Sequence, residues 1–200
     1  MQELIYLTQR IPFPPTKGEK IRQFQVLCYL QQRYVVHLGC LIDDPADWQH
    51  TGVLRELCGE TYFAKLNPWT ARLACLPSLI GSVPLSVPYF FDRGLQEWIK
   101  DVLTRRRPSA AFVSSSVMGQ YLLDAPYRPP RVVMDFIDVD SDKWRQYGDT
   151  RSWPMSWICR RESKTLLAFD RRLAHAFDAS VFVSRAEAAL FNRLAPDVSA

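Results

Sequence analysis

Short apolar runs alternate with stretches of helical spacing over most of the chain. Leu4–Leu7, within Glu3–Thr8, reads as a first and central strand. In the loop Thr8–Gly18 (TQRIPFPPTKG), three prolines exclude regular structure and Gly18 permits a backbone geometry that other residues resist. From Glu19 to Arg33, Ile21, Phe24, Leu27 and Cys28 fall near one helical face. Tyr34–Ile42 is the second predicted strand, and Asp43–Asp44–Pro45 closes it and opens a helix to about Gly59. Thr61–Leu66 is a third strand, and Pro68–Trp69 begins a helix to about Cys75. This alternation predicts an α/β fold, a parallel sheet joined by right-handed crossovers.

Leu76–Phe91 (LPSLIGSVPLSVPYFF) breaks the rhythm: it is apolar, punctuated by proline and without charge. The simpler reading is a partly buried loop on the sheet edge. The sharper one joins it to Trp69, Arg72 and Leu73 as a surface for the membrane headgroup region, a peripheral contact spanning Trp69–Phe91. Arg93–Arg107 returns to a helix whose triple arginine reads as a solvated end facing its own carbonyl dipole. Ala110–Ser114 is a fourth strand, with Ser114–Ser116 leading into a helix through Leu123, and Arg131–Phe136 is a fifth. Met155–Phe177 is a long amphipathic helix whose buried stripe takes in Met155, Ile158, Leu166, Phe169, Leu173 and Phe177. Glu162 falls within that stripe and needs a partner, and Arg160, Arg161 and Lys164 are its nearest cations in sequence. Ala179–Val183 is the last strand, and Ser184 with Glu187 forms a capping-box pattern before a helix to about Leu194.

The 200 residues, 48% hydrophobic and 23% charged, suffice for one large domain with an ample core. A net charge of +4 without a basic tail makes nucleic acid an improbable partner and leans slightly toward anionic small molecules or a membrane surface. Five cysteines, an odd number with no CxxC pair, indicate neither a disulfide framework nor a zinc site and point to a reducing cytoplasm. No charged-then-apolar leader opens the chain, and no apolar run approaches the ~20 residues of a membrane span.

Candidate chemistry concentrates in Arg131–Tyr147 (RVVMDFIDVDSDKWRQY). Asp135, Asp138, Asp140 and Asp142 crowd the end of an otherwise apolar strand, with Lys143, Trp144 and Arg145 behind them. In open α/β sheets that end is where ligands bind. The competing reading is that one of these acids caps the next helix. A calcium loop fails because Lys143 occupies the sixth position, where glycine is needed. Asp138–Val139–Asp140 fits a DxD metal pattern only over three residues. No GxGxxG or GxxxxGK[ST] follows the first strand, although Lys17–Gly18 at a helix start suits an anion. No GxSxG surrounds Ser114–Ser116, so those serines either cap the helix or donate to a ligand.

The segments PFPPTKGEKIRQF, VVMDFIDVDSDKWRQY and RRESKTLLAFDRRLAHAFDASVFVSRAEAALF resemble the amino-terminal domain of family 4 glycosyltransferases. The nearest likeness is to sugar transferases of bacterial exopolysaccharide clusters associated with the PEP-CTERM/exosortase system. The resemblance implies a Rossmann-like parallel sheet flanked by helices, the N-terminal half of a GT-B fold, with residues 1–200 as a single acceptor-side domain and the donor-binding domain absent. It implies transfer from a nucleotide-sugar to a glycan or lipid-linked acceptor, with retention of configuration, no metal, and no cofactor beyond the nucleotide-sugar co-substrate. Such an enzyme acts in the cytoplasm or peripherally at the inner membrane face, and the isolated domain is expected to be inactive. Carried onto this sequence, Asp135 and Asp138 are the expected catalytic-site acids, and Lys17, Gly18, Arg22, Ser115, Asp140 and Ser184 the expected substrate contacts. Histidines that many members carry near Ser114–Ser116 and Asp135 are missing; His37, His50 and His175 lie elsewhere. The alternative is a stand-alone Rossmann-like module that binds a nucleotide or sugar without catalysis. A nicotinamide oxidoreductase is disfavoured by the missing glycine fingerprint.

Overall fold

The structure, a computed structural model, describes residues 1–198. Six strands, β1 (Gln2–Thr8), β2 (Tyr34–Ile42), β3 (Thr61–Lys65), β4 (Ala110–Ser114), β5 (Val132–Ile137) and β6 (Ala179–Phe182), form one parallel sheet in the order β3-β2-β1-β4-β5-β6. This is a Rossmann-like α/β fold. β1 is central, as its continuous apolar run requires of a strand covered on both faces. Successive side chains point to opposite faces, so Ile5 and Leu7 enter one core with Leu95, Val113, Met134 and Leu173, while Leu4 and Tyr6 enter the other with Leu27, Leu38 and Leu54.

The connections hold α1 (Gly18–Gln31), α2 (Thr51–Leu57), α3 (Pro68–Ala74), α4 (Ser86–Tyr89), α5 (Arg93–Arg106), α6 (Gln120–Leu123), α7 (Asp140–Thr150) and α8 (Met155–Ala176), and α9 (Arg185–Leu194) follows the last strand. The helix expected over Asp43–Gly59 is split into a 3-10 turn, Pro45–His50, followed by α2. Asp44 accepts the Ala46 amide and tightens that first turn. At the end of α5, Arg107 adopts a left-handed conformation (φ 46°), and the arginines before it are ion-paired: Arg105 with Glu60 and Asp101, Arg106 with Glu60.

The stripe expected on the long helix shifts by part of a turn. α8 buries Cys159, Glu162, Leu166, Asp170 and Leu173, spaced by three and four residues, whereas Met155 lies at the half-exposed first turn. Two acids on that stripe are the unusual feature, and both point toward the carboxyl end of the sheet.

Candidate functional site

Sheet order reverses between β1 and β4. Loops leaving these two strands therefore part above the sheet and leave a crevice, the place where open α/β sheets receive ligands. A pocket of about 250 Å3 lies there. Gln9 reaches it from the loop after β1, Ser115, Ser116 and Val117 from the loop after β4, and Asp140, Lys143, Trp144 and Tyr147 from α7. Two residues bordering the crevice carry backbone strain. Ser115 (φ 77°) and Ile137 (φ 68°) both sit in left-handed regions that non-glycine residues avoid, Ile137 with a β-branched side chain. Both amides are thereby turned onto one residue: the Ser115 N–H donates to the Asp135 carbonyl at 2.8 Å, and the Ile137 N–H to Asp135 Oδ1 at 3.2 Å.

Asp135 lies beneath the pocket. It is 1% exposed, and Arg22 of α1 grips it with two bonds, Nε to Oδ2 at 3.1 Å and Nη2 to Oδ1 at 3.0 Å. Both oxygens are thus engaged within the protein, so Asp135 positions Arg22 and the end of β5. Tyr6 lies close by, and its hydroxyl donates to the Gln23 carbonyl at 3.2 Å. Burial first, and then the Asp135 carboxylate, push the Tyr6 phenol well above its ordinary value. Gln23 Nε2 donates to Ser114 Oγ at 3.4 Å, completing a buried polar layer under the crevice.

The other acids are arranged along α7. Lys143 Nζ donates to Asp138 Oδ2 at 2.7 Å and to Asp140 Oδ1 at 3.0 Å. Burial works against the Lys143 charge, but the two carboxylates outweigh it and hold the ammonium well above its usual range. Asp142 accepts from Arg145 Nε and Gln146 Nε2, each at 2.7 Å, and the Arg145 bond lowers its carboxyl. None of these acids caps the helix. The N-cap is Val139, without a side-chain cap, and its amide donates to Glu187 Oε2 at 2.8 Å. The expectation of an aspartate cap is corrected: cations one turn on attract the Asp carboxylates, and Glu187 supplies the acceptor from α9. Trp144, expected behind the acids, stands on the pocket wall with the Tyr147 ring edge-on at 6.1 Å.

Lys17 and Gly18 form the exposed start of α1. Gly18 has no positive φ and nothing within 4 Å of a Cβ placed on it. Neither backbone geometry nor packing within the protein requires glycine at that position, which corrects the first of the two reasons for singling it out. At the other end of the chain, Ser184 Oγ accepts the Glu187 amide at 3.2 Å, the forward half of the capping box. The return half is replaced by the Glu187–Val139 bond, which ties α9 to α7. Asp170, not singled out by the sequence, is buried with Oδ1 lacking a hydrogen-bond partner; burial first, with Asp140 and Glu162 adding, pushes its carboxyl well above the ordinary range.

Glu162 takes one of the cations beside it in sequence, with Arg161 Nη1 3.8 Å from Oε2, and finds its hydrogen-bond donors much farther along the chain. Its carboxylate accepts from Leu85 N at 2.6 Å, Ser86 N at 2.9 Å and Ser86 Oγ at 2.7 Å, holding the start of α4. Arg161 binds the carbonyls of Ser78, Leu79, Gly81 and Val83. These two neighbours fasten Leu76–Phe91 to α8 and so build the outer wall of the pocket through Ser86 and Phe90. A groove of about 580 Å3 shares Ser86, Phe90 and Trp144 with the pocket and runs outward between Arg72 and Cys75 on one side and Met155 on the other.

Among the described residues no group of three or more His, Cys, Asp or Glu is placed to hold a metal ion, and no helix is long and apolar enough to cross a membrane. The chain matches no model of a known protein family and no curated protein.

Proposed function

We propose that residues 1–200 form the acceptor-side half of a retaining glycosyltransferase of the GT-B type, acting in the cytoplasm on glycan or lipid-linked acceptors of exopolysaccharide assembly. The observation that carries this reading is the composition of the crevice pocket. Hydroxyls and an amide (Ser115, Ser116, Gln9), a carboxylate (Asp140) and an ammonium (Lys143) face the rings of Trp144 and Tyr147. Hydrogen-bonding groups opposite aromatic faces suit a sugar, whose hydroxyls need polar partners and whose C–H face packs on a ring. The resemblance of the Thr8–Gly18 loop and the Asp135–Trp144 strand end to family 4 supports the same assignment.

Within this reading, Asp140 and Ser115 accept or donate to acceptor hydroxyls, Trp144 stacks on the ring, and Asp138 keeps Lys143 aimed at the pocket. Arg22 and Lys143 are already engaged by carboxylates, so a donor diphosphate is bound chiefly by the facing domain, with Lys17 and Gly18 at the rim. Stabilising the leaving diphosphate is usually the largest catalytic contribution. Residues 1–200 alone are therefore expected to bind acceptor without transferring sugar.

Saturation-transfer NMR with a panel of methyl glycosides tests the pocket. Binding by the wild type that Trp144→Ala abolishes supports it, and absence of binding across the panel, or binding indifferent to Trp144→Ala and Asp140→Asn, refutes it. In the two-domain enzyme, Asp140→Asn lowers kcat/KM by about 10–100-fold, the range for losing one charged hydrogen bond to substrate.

A further inference from the structure

The outer face of the molecule beside the groove is apolar to a degree that neither the fold nor the pocket explains. Ile80 is 96% exposed, Trp153 81% and Trp69 76%, and Leu73, Leu76 and Trp157 are more than half exposed. They come from two distant stretches that the structure makes neighbours. Arg161 holds the carbonyls of Leu79 and Gly81 on either side of Ile80, and Trp157 lies one helical turn before Arg161 on α8. Across the groove, Arg72 and Cys75 of the α3 segment oppose Met155. Isolated exposed apolar residues are ordinary; a contiguous cluster with three tryptophans marks a contact surface.

Charge identifies what the surface contacts. From Thr61 to Phe91 the chain holds no Asp or Glu, and from Thr150 to Arg161 there is again none. The next acid, Glu162, is wholly buried and turned inward onto Leu85 and Ser86. The cations of the same face are Arg72, stacked over Trp69 at 5.7 Å, with Arg160 and Lys164 lining the hollow beside Trp153 and Trp157. Arg160 is partly engaged by Asp149 at 3.6 Å. A face of tryptophan, isoleucine and leucine ringed by cations, with the exposed Asp149 only at its edge beside Arg160, matches the anionic headgroup layer, where indole rings settle at the polar boundary and long cationic side chains reach the phosphates.

We propose that α3, the Leu76–Ile80 turn and the start of α8 together form a docking face for an anionic lipid bilayer. Trp69, Ile80, Trp153 and Trp157 enter the headgroup boundary, while Arg72 and Lys164 pair with lipid phosphates. Docked in this way, the groove opens at the bilayer and leads to the crevice through Phe90 and Trp144. The inference rests on exposure and charge, not on the sugar reading.

The test is co-sedimentation of the full 200-residue chain with phosphatidylcholine vesicles containing or lacking phosphatidylglycerol. The expected result is binding to the anionic vesicles, weakened by salt, and little binding to phosphatidylcholine alone. Arg72→Gln and Lys164→Gln should each lower the partition coefficient about fivefold. Trp69→Ser, Ile80→Ser, Trp153→Ser and Trp157→Ser combined should abolish binding. All these side chains are exposed, and an unchanged thermal unfolding midpoint confirms that the variants fold. A wild type that stays in the supernatant overturns the proposal. So does a chain that instead dimerises through this face, or vesicle binding that survives all four serine substitutions.

Discussion

Arg22 and Asp135, 113 positions apart, meet through two parallel hydrogen bonds of 3.1 and 3.0 Å beneath the crevice. The pair is asymmetric: Asp135 is buried, whereas 29% of the Arg22 side chain is open to solvent. Removing the arginine leaves a buried carboxylate without its partner; removing the carboxylate leaves a cation that can still reach water. Arg22→Met is therefore expected to cost about 3 kcal/mol and Asp135→Asn about 1 kcal/mol in denaturant unfolding. Equal costs, or a larger one for Asp135→Asn, would contradict this arrangement.

Two glycines separate ligand demands from packing demands. A Cβ on Gly39 would sit 2.9–3.0 Å from Trp98, Leu7 and Leu95, so Gly39→Ala should cost about 1–3 kcal/mol by overpacking the core. Gly18→Ala meets no protein atom and should change stability by no more than about 0.5 kcal/mol. If Gly18→Ala nonetheless lowers turnover in the proposed two-domain enzyme, the glycine is there for a ligand; unimpaired turnover removes it from the site.

The Glu162 contacts give a local prediction. Glu162→Gln keeps the shape but loses charge and one acceptor, and it should weaken the attachment of α4 by about 1–3 kcal/mol. Hydrogen exchange at the Leu85 and Ser86 amides should accelerate, with cleavage by protease between Ser78 and Phe91. Protection unchanged at both amides would show that Arg161 alone holds the segment.

Two carboxylates impose opposite pH dependences. Hydrogen bonds from Arg105 and Arg106 lower Glu60 to about 2. Its folded value is below the unfolded one, so its stabilisation is present above the unfolded value and is lost as pH falls toward about 2. Asp170 is raised by burial, so the folded state holds its proton longer, and stability falls as pH rises above the ordinary carboxylate value. Glu60→Gln should therefore remove stability at pH 7 and matter little in strong acid. Asp170→Asn should be more favourable at pH 7 than at pH 4. Urea midpoints from about pH 2 to about pH 7 check both signs, and parallel profiles for variants and wild type would contradict them.

Much of the architecture is legible because it rests on local pattern. Leu4–Leu7 forecasts a strand buried on both faces, and the alternation of runs forecasts the parallel sheet. Local pattern also misplaces detail: Met155 has the right spacing for the α8 stripe, but it sits in a first turn that faces a groove. The site is less legible because its relationships are long-range. Nothing near Asp135 in sequence announces Arg22, and Glu162, whose neighbour Arg161 is the cation the sequence offers, also bonds amides more than seventy residues away. The capping-box signal at Ser184–Glu187 is real for the serine, but the glutamate serves another helix. A buried acid on an amphipathic stripe, seen at both Glu162 and Asp170, is the one local hint that α8 supports something beyond its own packing.

The central position of β1 also governs how the chain assembles during synthesis. β1 registers with β2 along Gln2–Thr8 and with β4 along Leu4–Thr8, and β4 begins only at Ala110. As the chain leaves the ribosome, β1, β2 and β3 can pair early, but the central strand keeps one bare edge until the chain has been made past Ala110. An unpaired edge of that kind templates misassociation. The nascent chain thus passes through a stage in which the strand at the heart of the finished sheet is its most exposed liability.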